Sequence, residues 1–189
     1  MPFGLIFPGI LALWLAFGNR DKTLKFWRIN RVSALFLILL ILVLSYVDIP
    51  MGNAYLNLGG VFILLFGLWL FWGFTPAEKW RTVAASLLIA TLFFLIRSGL
   101  LWQIEQFFSA SEFATILICI LFASATRGYQ QALVAAAWGV EIAGLANLLL
   151  IGDGMGLPYL NSFSLIAAGA WFILWLVKYI KRRRLTNAH

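Results

Sequence analysis

Histidine is nearly absent from this chain: His189, the last residue, is the only one. A serine–histidine dyad or a histidine-ligated zinc within the body of the protein is therefore excluded. The single cysteine, Cys119, lies inside an apolar run, so neither an intrachain disulfide nor a cysteine metal cluster can form. Charge is scarce too. Only 11% of the 189 residues are charged and 63% are hydrophobic, whereas a soluble domain carries about 25% charged residues. HExxH, a Walker A loop and a glycine-rich dinucleotide fingerprint are all missing, which removes the usual routes to ATP hydrolysis and hydride transfer. No internal repeat is visible, and with it goes the inverted-repeat signature of many secondary transporters. Lys178 stands at the end of the last apolar run rather than in its middle, where a retinal-binding lysine would sit. These absences predict a chain that is not an enzyme and has no metal or cofactor.

Long apolar runs are what the sequence does have. A membrane-spanning helix needs about 20 mainly apolar residues in succession, and segments of that kind use up nearly all of residues 1–189. The fold class expected is an all-α integral membrane protein, one transmembrane helical domain. Seven helices are predicted, at roughly 3–17, 32–46, 58–74, 82–102, 113–126, 129–151 and 163–179, with a basic tail at 180–189. The segments at 3–17, 32–46 and 113–126 are short for a hydrocarbon layer of about 30 Å, so six spans is the alternative. The stretch MPFGLIFPGILALWLAFGNR has no positive charge ahead of its apolar run and no small-residue cleavage pattern, and is expected to be retained as the first helix.

Charge placement favours seven. With residue 1 outside, Arg20 to Arg31, Lys79 with Arg81, Arg127, and the final KYIKRRR all fall inside. Asp48, Glu105, Glu112 and Asp153 fall outside. Thirteen of the fourteen basic residues then share one side, the bias of the positive-inside rule. The carboxyl terminus is expected inside. The net charge of +7 is thus mainly a topology signal, with contact to anionic headgroups second and nucleic acid discounted. Trp69, Trp72 and Trp80 at the inner boundary, Trp102 and Tyr46 at the outer one, and Tyr179 at the inner end of the last helix fit an interfacial belt.

Two charges fall deep within predicted helices, Arg97 and Glu141. Counting about 1.5 Å per residue, Arg97 stands some 24 Å beyond Arg81, and Glu141 some 18 Å beyond Tyr129. An extended arginine can bridge the difference of about 6 Å. A buried Arg97–Glu141 pair that fixes helix neighbours is the leading expectation, since an unpaired charge at the bilayer centre costs at least about 2.5 kcal/mol. Two alternatives stay open. Arg97 can snorkel outward towards Glu105 and leave Glu141 protonated, or Glu141 can bind a proton or a cationic solute in a cavity.

The run containing Glu141, LVAAAWGVEIAGLANLLLIG, is also rich in small residues. Ala135, Gly139, Ala143 and Asn147 recur every four positions, with Ala132, Ala136 and Gly144 beside them, a pattern that lets membrane helices approach closely. Trp138 and Gly144 share the face of Glu141 at three-residue spacing. The outer segment Ile49 to Gly60, IPMGNAYLNLGG, is read as a turn leading into the third helix, with Asn57 as a candidate polar lining residue. IGDGMGLP, with Asp153, is superficially similar to the GxGD of intramembrane aspartyl proteases, but its order differs and no second intramembrane aspartate exists to share a proton.

A tryptophan-bearing first helix followed by NRDKTLKFWR, a length near 190, a late WGVEIAGL and a final helix reached through LPYLNSF together resemble the YphA-like family of small polytopic membrane proteins of spore-forming bacteria. That resemblance implies a bacterial cytoplasmic membrane and no particular activity. NAYLNLGGVF, Asn53 to Phe62, is similar to an outer segment of vitamin-capture subunits in energy-coupling transporters, with Gly60 where those carry an acidic residue. The function expected is interaction with other membrane or envelope proteins. The alternative is a small-solute or proton-coupled transport component, or a substrate-capture subunit, using Glu141 and Arg97 within a candidate polar site that also holds Trp138, Asn147 and Asn57.

Overall fold

The computed structural model describes residues 31–51, 54–98, 111–151 and 157–186. The expected first helix at 3–17, the basic residues Arg20 to Arg28, and Trp102, Glu105 and Asp153 lie outside the described residues, as do the side chains of Arg97 and Glu112. Six helices and two strands follow in chain order: α1 (Arg31–Leu44), β1 (Asp48–Met51), β2 (Ala54–Asn57), α2 (Leu58–Trp72), α3 (Pro76–Arg97), α4 (Ser111–Ser124), α5 (Tyr129–Leu150) and α6 (Leu157–Thr186). Three segments are long and apolar enough to cross a membrane: Pro76–Ile96, Tyr129–Leu150 and Ser162–Arg183.

Local chemistry explains where the observed boundaries depart from the hydropathy pattern. The helix expected from residue 82 begins at Pro76. Thr75 accepts from the Glu78 N–H while the Glu78 carboxylate accepts from the Thr75 N–H at 2.9 Å, a capping box with proline at the first helical position. This turn is polar, so an apolar window passes over it. At the other end of the chain, α6 runs for 30 residues through the stretch expected as a basic tail. Lysine and arginine are good helix formers, and no glycine or proline interrupts them.

The segment at 49–60 also departs from expectation, and the fold is not purely α. Asp48–Met51 pairs antiparallel with Ala54–Asn57, Asp48 opposite Asn57 and Met51 opposite Ala54. This hairpin joins α1 to α2. The turn between α4 and α5 is tighter: Arg127 adopts φ 68°, in the left-handed region, and Gly128 follows at the N-cap of α5.

Helix α5 is the hub, packed against α2, α3, α4 and α6. Its window is 61% buried, against 33% for each of the other two long helices, so α5 lies inside a bundle that the others wall. Small residues permit this. A Cβ on Gly139 would lie 2.5 Å from Ile89 Cβ and 3.0 Å from the Ser86 carbonyl oxygen, so α3 and α5 meet nearly backbone to backbone there. Ala135, Ala143 and Gly144 are buried as well. On the far side, the Trp171 indole N–H donates to the Tyr129 carbonyl at 3.1 Å and ties α6 to the start of α5.

Polar side chains share a mostly apolar interior, while large apolar side chains cover the outside. Thr82, Ser86, Gln131, Glu141 and Asn147 are buried, whereas Phe36, Leu65, Leu88, Leu121 and Phe172 are exposed. Large contiguous apolar surface of this kind marks a membrane or partner interface rather than a water-facing wall. Trp72 and Trp80 are about three-quarters exposed, and Trp80 stands in the polar first turns of α3.

Candidate functional site around Glu141

Glu141 is 1% exposed, in the middle of α5. Its carboxyl group faces the first turn of α2, resting against Gly60. A Cβ added to Gly60 would stand 2.6 Å from Oε2 and 3.0 Å from Cδ, so only glycine leaves room for it. The first turn of a helix carries partial positive charge, the field that suits a carboxyl group placed there. Glu141 Oε1 has no hydrogen-bond partner among the described residues.

Asn57 builds the same helix end from the other side. As N-cap of α2, its Oδ1 accepts from the Gly60 N–H at 3.2 Å. Its Nδ2 donates to the Ser45 carbonyl and to Asp48 Oδ1, each at 2.8 Å. One amide thus ties the end of α1, the hairpin and the start of α2 together. The Ser45 hydroxyl donates to the Ile41 carbonyl at 2.6 Å, and a Cβ on Gly59 would come within 2.5 Å of that hydroxyl oxygen. Gly60 is therefore held on two sides, by the Asn57 cap and by the Glu141 carboxyl.

Trp138, one turn before Glu141, engages the same face of α2. Its indole N–H donates to the Leu64 carbonyl at 3.3 Å, and a Cβ on Gly67 would meet Nε1 at 2.6 Å. The ring also packs on Phe71, centroids 4.7 Å apart. Gly60, Leu64 and Gly67 form an i, i+4, i+7 stripe on α2, matched by Glu141 and Trp138 on an antiparallel α5. The sequence reading missed this stripe. Its signal is the Gly60 and Gly67 spacing inside an apolar run.

Asn147 and the backbone of Arg97 lie at other levels of the bundle. Asn147 is buried on α5, six residues past Glu141, hence about 9 Å along the axis and on a different face. Arg97 is the last residue of α3. Helices α3 and α5 run parallel, since Glu78 lies beside Gln131 and Ser86 with Ile89 lies beside Gly139. From that register the Arg97 backbone stands roughly 11 Å beyond the level of Glu141. Among the described residues no three histidine, cysteine or acidic side chains gather into a metal site.

Compared with protein-family models, curated proteins and solved structures, the chain matches none. Its chemistry therefore rests on its own residues. A carboxyl group sealed against a helix start can carry a proton, and it can lock two helices. The neighbouring polar groups fit the second role best, because Asn57, the Trp138 N–H and Ser45 are each engaged by backbone.

Proposed function

We propose that this chain is a non-enzymatic multi-pass protein of a cell membrane, of the bacterial cytoplasmic type, acting by contact with other membrane or envelope proteins. In this reading seven helices span the bilayer, with the amino terminus outside and the carboxyl terminus inside, as the charge pattern and the resemblance to the YphA-like family suggest. One observation carries the non-catalytic part: Glu141 is spent on the first turn of α2, where its carboxyl fills the space that a Cβ on Gly60 would take. The polar groups around it hold helices together rather than facing a substrate. The exposed large apolar side chains support the membrane part.

A second reading, proton or small-cation transport through Glu141, is favoured by the carboxylate oxygen that finds no donor among the described residues. Reconstituted vesicles separate the two. Under the leading reading, vesicles holding the purified protein keep an imposed proton gradient as long as empty vesicles do. In native membranes, photoreactive residues placed at Leu65 or Phe172 then trap a discrete partner. A proton or cation leak abolished by Glu141→Gln would replace the leading reading with the second.

A further inference from the structure

The inner end of the bundle, as the proposed topology has it, brings cations from α6 and from the turn between α4 and α5 to the first turn of α5. Lys178 of α6 folds its ammonium over the Tyr129 ring, 3.9 Å from the centroid. Arg127, exposed, stands two residues before Tyr129 in the left-handed turn. Gln131, two residues beyond Tyr129 and so on nearly the opposite face of α5, lies beside Glu78 of α3, one turn before the exposed Arg81. Arg182, one turn beyond Lys178, is close enough for its charge to act on that ammonium.

The only carboxylate in the described part of this end is Glu78, and its Oε2 is occupied by the Thr75 N–H and hydroxyl, each at 2.9 Å. Its charge acts on Arg81, across α5 from Lys178. The surroundings are built for headgroup depth. Trp175 and Tyr179 stack with centroids 5.5 Å apart, Trp80 is 76% exposed, and amphipathic rings favour the boundary between hydrocarbon and water. Helix α6, about 45 Å long, exceeds a hydrocarbon layer of about 30 Å. Its basic turns leave the bilayer as ordered helix, holding Lys178 and Arg182 on one face.

We propose that Arg127, Lys178 and Arg182 form a seat for the phosphate headgroup of an anionic glycerophospholipid, with its acyl chains lying along the exposed apolar face of α6. The proposal rests on the membrane-spanning reading and is independent of whether the protein contacts partners or transports anything. Tyr129 positions the seat. Its ring holds Lys178 by a cation–π contact, and its carbonyl is anchored by Trp171. An ammonium pinned in this way loses less freedom on binding a phosphate than one on a free tail.

The test uses tryptophan quenching in vesicles of phosphatidylcholine mixed with brominated phosphatidylglycerol, which reports the relative affinity of the protein surface for the anionic lipid. The full chain is expected to prefer phosphatidylglycerol by about tenfold, and each seat cation removed should cost about fivefold. Arg127→Asn keeps a residue that tolerates the left-handed turn, and Lys178→Gln keeps the helix, so the double variant should fold and lose most of the preference. Lys178→Arg should retain it. Arg183→Gln with Arg184→Gln removes the same charge from other faces of α6 and should cost much less. Equal losses from the two pairs, or a relative affinity near one, would overturn the seat. Competition by inorganic phosphate alone would overturn the assignment to a lipid. A chain that does not enter the bilayer at all would take the membrane reading down with it.

Discussion

The Glu141 carboxyl stands where a Cβ on Gly60 would project, so a side chain on α5 occupies the volume that any larger residue would claim at the start of α2. The contact joins two helices that neighbour each other in space but are separated in sequence by α3 and α4. It also puts the most polar buried group of α5 at the electropositive end of a helix. The predictions below follow from this contact and its surroundings.

Gly60→Ala places a methyl 2.6 Å from Glu141 Oε2, and overpacking of this kind costs about 1–3 kcal/mol. Thermal unfolding in detergent micelles, followed by circular dichroism, should show the loss. Adding Glu141→Ala removes the colliding group, so the double variant should be more stable than the sum of the two single losses by at least about 0.5 kcal/mol. Additive losses would mean that the two residues do not share this space.

Asparagine and aspartate are usually interchangeable as N-caps. At position 57 they should not be. The Nδ2 group donates to the Ser45 carbonyl and to the Asp48 carboxylate, so Asn57→Asp exchanges two donors for an acceptor facing two acceptors. The expected cost is about 2–4 kcal/mol, exceeding that of Asn57→Ala, since unpaired buried acceptors and like charges both count against it. Urea or heat unfolding of the two variants side by side decides the order.

Trp138→Phe keeps an aromatic ring against Phe71 but loses the indole N–H bonded to Leu64. A loss of about 0.5–1.5 kcal/mol is expected, the value of one hydrogen bond. Gly67→Ala should cost more, because its methyl would stand 2.6 Å from the indole nitrogen. If Gly67→Ala were neutral, α2 and α5 would be further apart than described.

How much of this was readable in advance follows a physical divide. Helix α5 was legible almost to the residue, since its apolar run and its small residues both report on a buried helix. The capping box at Thr75 and Glu78 was written in the sequence too, but in polar residues that an apolar window ignores. The hairpin was hidden by its length: four-residue strands, one containing Pro50, give too little alternation to register. Glu141 stood out as a buried charge. Its neighbour did not, because which helices touch depends on how faces pack across the bundle, and Gly60 carries no side chain to announce the contact.

Arg97 illustrates the same divide and supplies a last test. Counting rise from separate loop ends brought Arg97 and Glu141 to within about 6 Å, but the two counts had no common origin. The contacts of Gly139 with Ser86 and Ile89 provide one. They set the Arg97 backbone about 11 Å past Glu141 along parallel helices. A direct ion pair would have to cross that gap. Stability losses from Arg97→Gln and Glu141→Gln should therefore add to within about 0.5 kcal/mol. Clear recovery in the double variant would restore the ion pair and make the seam between α3 and α5, rather than that between α2 and α5, the place where Glu141 acts.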